Sequence, residues 1–298
     1  METKAVSAYR ERAERRRRSQ GEGEARGDGW VRTEADEQLL AAATRYSTLT
    51  LRQAATAFWR GREETARARI RLMVEAGLLF RSAGMRWTGT VVWTTERGAR
   101  ISGTGLGAPH PPGERLLHRL ALADAGLALE ADGYTVLTER EVRTAEAVPG
   151  RAADLLVALG VPDVPERARR GHTLAVSAGA RALHWPDLVM VLPSGHVAAV
   201  EVELTRKPAA ALRQILRGYQ QARRPVLYLA TDPVIRQLQG RPGPEGWIDG
   251  VAQFVGLLPP GGPHPAPDGL LRIRKFTALD PAVGDQVQRY AERRHGVL

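Results

Sequence analysis

Three carboxylates lie at regular spacing within one hairpin-like segment of the chain. Two runs rich in Val and Leu, 185–192 and 197–204, flank a Pro-Ser-Gly turn and are typical of buried antiparallel strands. Glu201 and Glu203 are two residues apart, so an extended strand projects both side chains from one face. Asp187 begins the partner strand and, depending on the register, reaches that face near its end. Converging carboxylates repel one another unless a cation neutralises them, and an oxygen-rich cluster suits Mg²⁺ or Mn²⁺.

A plainer interpretation of these acids stays open. Edge strands often carry acids that face solvent, and Glu203 would then form a surface ion pair with Arg206 or Lys207. The alternate positions, however, are held by Val200 and Val202, which form a regular apolar face. That regularity places the two glutamates on a defined opposite face and favours the metal site.

The same segment resembles the core of the PD-(D/E)xK nuclease superfamily. Asp187 is followed by thirteen residues, by Glu201-Val202-Glu203, and then by an amphipathic helix and another apolar strand. More narrowly, the run from Pro186 to Lys207 is similar to the replication-relaxation family of actinobacterial plasmids and integrative elements. The likeness covers roughly residues 110–235 for the nuclease-like core, and most of the chain once the amino-terminal part is added.

The resemblance implies a set of site residues. It implies that Asp187 and Glu201 hold Mg²⁺ or Mn²⁺. In a catalytic site Glu203 would assist the metal or the water, and Lys207 would supply positive charge near the scissile phosphate. Glu203 stands where the superfamily motif has lysine, and Lys207 lies four residues downstream, at the start of the next helix. The domain is then either a Mg²⁺-dependent deoxyribonuclease or a degenerate scaffold that needs no cofactor.

The pattern of residues 34–102 predicts a winged helix-turn-helix. Apolar periodicity indicates three amphipathic helices, and a two-stranded hairpin follows them, which is the plan of that domain. The helices are expected around Leu39, at 51–59 and at 63–79, and the strands at 78–80 and 91–94.

Six residues of this domain are predicted to contact DNA. Those on the third helix lie away from its apolar stripe or at the flank, which suits a helix in a major groove with flanking phosphate contacts. The last two belong to the wing. The six are Arg62, Thr65, Arg67, Arg69, Arg81 and Arg86. Arginines that only solubilise a helical surface would show the same distribution, so this alternative stays open.

Composition excludes several classes of protein. The 298 residues carry a net charge of +10, which makes a polyanion such as DNA the expected partner. Cysteine is absent, which excludes disulfides and thiolate metal sites and fits a reducing cytoplasm. No apolar run has the length to cross a bilayer, so no membrane association is expected. The sequence also lacks a Walker loop, a strand-led G-x-G-x-x-G and H-E-x-x-H.

The expected fold class is α/β, or α+β overall, with a winged helix-turn-helix followed by a PD-(D/E)xK-like mixed-sheet domain. Composition predicts a disordered basic arm at 1–28, the winged helix at 29–103, a linker at 104–113 and the nuclease-like domain at 114–298. Residues 145–181 read as an insertion ahead of the Asp187 strand.

The remaining elements of the second domain follow from apolar runs and from proline and glycine positions. Before the motif, a helix is expected at 116–129 and a strand at 134–137 that runs into 139–141. After the motif, a helix is expected from about Pro208, strands at 226–230, 251–258 and 270–273, and a final helix near 286–294.

Other polar residues are weaker candidates for the site. Glu114, Glu139 and Glu141 are candidates for an additional acidic contact, although surface glutamate is common. His184 lies three residues before Asp187 and could approach the site, although a lone histidine is more often a polar surface residue than a ligand. Gln214 and Tyr219 resemble the Gln and Tyr that some nucleases of this superfamily place on the corresponding helix. The favoured alternative places Tyr219 in the core, within the apolar stripe of the helix after the motif, and Gln214 on the surface.

These features together predict a cytoplasmic DNA-binding protein of a plasmid or integrative element. The winged helix would locate DNA, and the nuclease-like domain would bind or cleave it in replication or transfer. A homodimer, or proteins of replication and transfer, are the further partners expected. The alternative is a non-catalytic replication or transcription regulator whose nuclease-like domain is a degenerate scaffold.

Overall fold

In the computed structural model, most residues of the chain are described. These are residues 31–83, 86–161, 164, 173–179, 182–265 and 269–295. The basic arm predicted at 1–28 lies outside them. The described part is mixed α/β, as the sequence predicts, with eleven helices and a five-stranded mixed sheet.

Contacts divide the chain into two compact units. The first comprises the residues up to Ala131 together with 158–160 and 278–284. The second comprises 132–157, 161–277 and the residues from Asp285 onward. The range predicted as a linker, 104–113, therefore falls inside the first unit, and the contacts place the division after Ala131.

The first unit contains eight named elements and a small antiparallel sheet of order β1-β3-β2. Its elements are α1 (Glu34–Arg45), β1 (Leu49–Thr50), α2 (Leu51–Trp59), α3 (Glu63–Glu75), β2 (Leu79–Ser82), β3 (Val91–Thr94), α4 (Glu96–Ile101) and α5 (Leu116–Ala131). Threonines begin the first two helices, because the side chains of Thr33 and Thr50 each accept a backbone N–H three residues on. The third helix ends four residues earlier than predicted, and Gly77 follows it with a φ of 67°.

The second unit is built on the five-stranded sheet, whose order is β12-β9-β8-β7-β4. Strands β8, β9 and β12 run parallel, and β7 pairs antiparallel with both β8 and β4. Its elements are β4 (Thr135–Thr138), α6 (Glu139–Glu146), α7 (Arg151–Ala158), β5 (Val176–Ser177), β6 (Leu183–His184), β7 (Leu188–Val191), β8 (Val197–Glu203), α8 (Ala209–Gln221), β9 (Val226–Ala230), α9 (Asp232–Gln239), β10 (Arg241–Gly243), β11 (Gly246–Ile248), α10 (Val251–Phe254), β12 (Leu271–Lys275) and α11 (Pro281–His295).

The core of the second unit lies between the sheet and the helices that cover one of its faces. Ala199 and Tyr228 of the sheet belong to one buried cluster with Leu212, Leu216 and Tyr219 of α8. Apolar burial of this kind contributes about 25 cal/mol per Å², which fixes α8 over the strands that carry the acids. Among the described helices, none combines the length and apolar character that crossing a membrane requires.

One predicted strand is wrong. Residues 251–258 read as a strand from their apolar run, but the structure forms the short helix α10 there. The side chain of Gln253 accepts the backbone N–H of Gly250 at 3.0 Å, which caps the helix start. Gly256 then adopts a φ of 75° and ends it, a conformation that glycine adopts without strain.

Two further helices form where the sequence predicts none. Residues 139–141 do not continue the strand before them, because Thr138 and Glu141 form a capping box that begins α6 at Glu139. Residues 232–239 form α9, whereas the sequence predicts only the end of a strand there. Proline in the first turn of α9 is favourable, since that position needs no N–H donor.

Candidate active site

The hairpin of β7 and β8 sets the position of the acids. Leu188 pairs with Val200 in the antiparallel register, so the next position places Asp187 opposite Glu201. Opposed residues of antiparallel strands share a face, and Glu203 follows on that face two residues later. The Oδ2 atom of Asp187 also accepts the backbone N–H of Val202 at 2.9 Å. The three predicted carboxylates therefore lie on the same face at one end of this strand pair.

Glu201 is the most buried of these acids, with 1% of its surface exposed. Its Oε1 atom lies 2.7 Å from Nε2 of His184 and also accepts the hydroxyl of Tyr219. Burial lowers the pKa of His184, but the hydrogen bond and the charge of Glu201 outweigh it, so the pKa is raised. The sequence favours a surface position for His184 and a core position for Tyr219 over a place in the site, and the structure brings both to Glu201.

Glu203 and Lys207 form an ion pair at the edge of the same face. Burial raises the pKa of Glu203, although the ammonium of Lys207 acts in the opposite direction. For Lys207, burial lowers the pKa, but Glu201 and Glu203 outweigh it and the pKa is raised. The lysine four residues beyond the motif therefore reaches the acids and stays protonated near neutral pH. It lies in the segment before α8, which begins at Ala209, rather than within the helix.

A fourth acid joins the cluster from α6. The backbone N–H of Glu139 donates to the carbonyl of Asp187 at 3.0 Å, so the start of this helix is fixed beside the site. Burial raises the pKa of Glu139, and Asp187 and Glu201 add to the rise, while Arg143 opposes it. Glu141 instead caps the backbone of Thr138. Glu139 is thus the one of the three weaker acidic candidates that the structure brings to the cluster.

Tyr228 lies beside Glu201 in the parallel register of β8 and β9. It is fully buried, and its hydroxyl has no hydrogen-bond partner within the described part of the chain. Burial raises its pKa well above the ordinary value, and the charges of Glu201 and Glu203 add to the rise. An unsatisfied buried hydroxyl costs about 1 to 3 kcal/mol, so a water or a bound group at this position would be stabilised.

The ribbon of β5 and β6 holds His184 in place. His184 pairs with Val176, and β5 crosses α8 at Gly218. A Cβ added at Gly218 would lie 2.1 Å from the carbonyl oxygen of Ser177, so only glycine permits this close approach. On the other side, the indole N–H of Trp185 donates to Glu146 of α6 at 2.7 Å. The histidine is therefore positioned by backbone contacts that its own sequence neighbourhood does not reveal.

The acids match Mg²⁺ or Mn²⁺ by donor type, because both ions prefer carboxylate oxygens. The hydrogen bonds of Glu201 with His184 and Tyr219 both use its Oε1 atom. The backbone N–H of Val202 donates to Oδ2 of Asp187. Within the described ranges, however, no group of three or more His, Asp or Glu side chains is arranged closely enough to hold a metal ion. Asp187 and Glu201 therefore have suitable donor atoms for Mg²⁺ or Mn²⁺. In the structure, His184 and Tyr219 contact Glu201, and Lys207 pairs with Glu203.

The residues predicted to contact DNA lie in the first unit. Five of them have exposed side chains: Arg62, Thr65, Arg67, Arg81 and Arg86. Arg69 differs, because its guanidinium forms an ion pair with Asp36, which is fully buried. Its Nε atom donates to Asp36 at 3.1 Å, and another guanidinium nitrogen donates to the carbonyl of Val31 at 2.9 Å. This residue links α3 to α1.

Comparisons with protein-family models, with curated proteins and with solved structures give no match for this chain. The likeness to the PD-(D/E)xK superfamily and to the replication-relaxation family therefore rests on the motif residues and stays a prediction. What the geometry adds is a cluster of four acids with one ammonium and one imidazole at the ends of β7 and β8.

Proposed function

We propose that this protein binds DNA and that the acid cluster of its second unit is the site of a metal-dependent phosphodiesterase. The observation that carries the proposal is the placement of Lys207 among Glu203, Glu201 and Asp187, whose charges all favour its protonated form. An ammonium beside converging carboxylates is the combination that a nuclease site needs, since it provides both cation ligands and a group for phosphate charge.

Each residue of the cluster would have a separate role in phosphodiester cleavage. Asp187 and Glu201 would hold Mg²⁺ or Mn²⁺, which supplies Lewis-acid polarisation of the phosphate and a more acidic water. Lys207 would stabilise negative charge on the phosphate oxygens, and Glu203, whose pKa is raised by burial, would accept a proton from the attacking water. His184 and Tyr219 would orient Glu201 through their bonds to its Oε1 atom.

The first unit would locate DNA as a winged helix-turn-helix. The order of α1, β1, α2, α3, β2 and β3 and the three-stranded sheet support this interpretation. Arg60 adopts a φ of 53° and Gly61 one of 76° between α2 and α3, which makes the tight turn of such a motif. The exposed Arg62, directly before α3, and Arg67 on α3 would then face DNA.

A second candidate function is a regulator that binds DNA without cutting it. It is favoured by the lack of a three-ligand metal group among the described residues and by Glu203 at the usual lysine position. In either case the protein would act in the cytoplasm, in the replication or transfer of a plasmid or integrative element, as the family resemblance implies.

A cleavage assay separates the two candidates. Supercoiled plasmid and single-stranded DNA are incubated with the wild-type chain in Mg²⁺, in Mn²⁺ and in chelator. The nuclease proposal predicts metal-dependent cleavage that Asp187→Asn abolishes. Asp232→Asn is the matched control, because Asp232 lies on the same unit in an exposed pair with Lys275. DNA binding without cleavage in any metal would favour the regulator, and neither binding nor cleavage would refute both.

The DNA-contacting surface is tested separately, with the pair Arg62→Gln and Arg67→Gln. Loss of specific contacts should weaken duplex binding by about 1 to 3 kcal/mol each. The pair Arg97→Gln and Arg100→Gln is the control, since both side chains are exposed on α4 and the net charge falls equally. Arg69 is unsuitable for this test, because removing it would leave Asp36 buried without its cation. Equal loss in both pairs would contradict the assignment.

A further inference from the structure

A basic pocket lies in the second unit beside the acid cluster. Its volume is about 160 Å³, and it is formed by the segment after β8, by α9, by β10 and by the end of α11. We call it the arginine pocket, and its lining residues are Arg206, Pro233, Arg236, Gln237, Arg241 and His295. A water molecule occupies about 30 Å³ in the liquid, so the space is large enough for a small anion with a few waters.

The arginine pocket concentrates positive charge that the described residues do not neutralise. Arg206, Arg236 and Arg241 have no carboxylate partner within the described part of the chain. Like charges brought together in one concavity repel, and an anion bound between them removes that repulsion. Guanidinium groups bind phosphate oxygens through two parallel N–H bonds, which is why arginine is favoured for this anion.

His295 completes the pocket as a neutral group. Its Nε2 atom accepts the backbone N–H of Arg206 at 3.2 Å, so this nitrogen carries no proton of its own. Burial lowers the pKa of His295, and the charges of Arg206 and Arg236 lower it further. The positive field of the pocket therefore comes from its arginines, while the histidine fixes the backbone that carries Arg206.

Adjacent residues of one segment reach the pocket and the acid cluster. Arg206 directly precedes Lys207, and Nε2 of Gln237 donates to the carbonyl of Lys207 at 2.5 Å. The same segment of chain therefore presents Lys207 to the acids and Arg206 to the pocket. Phosphates of a single strand of a duplex follow one another every 3.4 Å along the helix axis, so a strand at Lys207 would bring further phosphates nearby.

We propose that the arginine pocket binds a backbone phosphate of a DNA strand, next to the phosphate that lies at Lys207. The inference rests on the proposed function and names where the strand is held beside the acid cluster. The three arginines are exposed, which leaves the pocket open to a polymer rather than closing it around a free ion. The pocket would fix the register of the strand, while the acids act on the neighbouring phosphodiester.

The test compares two double variants of equal charge. Arg236→Gln with Arg241→Gln removes two pocket arginines, and Arg272→Gln with Arg274→Gln removes two exposed arginines from β12, outside the pocket. Affinity for a fluorescent oligonucleotide is measured over a range of salt concentrations. The pocket variant should bind at least about tenfold more weakly at low salt, and its log–log salt slope should fall in magnitude by about 1. The control should change less than about twofold, and unchanged melting temperatures would show that both variants fold.

The outcomes separate this inference from the proposed function. If the wild type binds DNA and the two variants lose affinity equally, the pocket assignment is refuted while DNA binding stands. If the wild type binds no DNA, the proposed function and the DNA ligand both fail. Inorganic phosphate is the competing probe, followed through the imidazole signals of His295. A free anion would be the ligand instead if phosphate saturates the pocket at micromolar concentration and the pocket variant binds DNA as tightly as the wild type.

Discussion

Two buried carboxylates, Asp124 in the first unit and Glu201 in the second, have different kinds of partner. Both are almost completely inaccessible to solvent. Asp124 accepts a neutral amide N–H from Gln53 at 2.8 Å and lies near a second acid, Asp280. Glu201 instead contacts His184, and its charge also favours the protonated form of Lys207.

The difference shows in the protonation of the surrounding groups. Burial raises the pKa of Asp124 from its ordinary 3.8 to about 7, and the charge of Asp280 contributes to the rise. Glu201 raises the pKa values of its basic neighbours, His184 and Lys207. At Asp124 the pKa of the buried acid itself is raised, whereas at Glu201 the pKa values of the neighbouring basic groups are raised. In the proposed function, the second arrangement is the one that would act on a phosphate.

The largest expected effect concerns the first of these acids. Folding takes up a proton at Asp124 between its unfolded pKa near 3.8 and its folded pKa of about 7. The free energy of unfolding should therefore fall as pH rises through this window, by roughly 4 kcal/mol in total. Asp124→Asn should remove that decline, so urea titrations between pH 4 and 8 would show a flatter profile. Glu96→Gln, an exposed change in the same unit, should retain the wild-type slope, and an equal slope in both variants would contradict the role of Asp124.

A sequence signal existed for part of this arrangement. The capping pattern Thr50-x-x-Gln53 places Gln53 at the start of α2, and the apolar stripe of α5 can be read from its spacing. Nothing in either pattern indicates that Gln53 donates to Asp124, seventy-one residues away. Contacts between distant residues depend on how the helices pack, and local periodicity carries no information about that.

The second expected effect concerns the ammonium of the acid cluster. Lys207→Met should leave Glu203 buried without its cation and let the neighbouring acids repel. Breaking a buried pair costs about 3 to 5 kcal/mol, and because a third of the Lys207 side chain is exposed, we expect about 2 kcal/mol. Lys275→Met is the matched control, since its pair with Asp232 is largely exposed and should contribute less than about 1 kcal/mol. Chemical denaturation at pH 7 measures both, and equal losses would mean that the cluster is an ordinary surface feature.

The acid cluster was partly predictable from sequence. The alternation of Glu201 and Glu203 with valines fixed their shared face, and the hairpin turn fixed Asp187 near them. Glu139 is a weak candidate from sequence because surface glutamate is common, and the capping box that begins α6 is what fixes it beside Asp187. His184 reaches Glu201 through the crossing of β5 over Gly218, a backbone approach that no spacing rule predicts.

A smaller effect is expected on His184. Glu201→Gln should lower the pKa of His184, because the hydrogen bond and charge that raise it are weakened. In the wild type this interaction stabilises the fold below the ordinary pKa of histidine, and the stabilisation is lost as pH rises through the raised value. An NMR titration of the imidazole would follow the shift directly. Glu245→Gln, an exposed change elsewhere in the same unit, should leave the titration unchanged, and so should Glu201→Gln if the two groups do not interact.

Metal-dependent stabilisation is the most direct test of the acid cluster as a functional site. Melting curves are recorded with and without Mn²⁺ for the wild type, for Asp187→Asn with Glu201→Gln, and for the surface control Asp232→Asn. A bound ion at one hundred times its Kd would stabilise the fold by about 2.7 kcal/mol. We predict that Mn²⁺ raises the melting temperature of the wild type and of the control and leaves that of the double variant unchanged. A wild type that melts at the same temperature with and without Mn²⁺, or a double variant that gains as much as the wild type, would contradict the metal site.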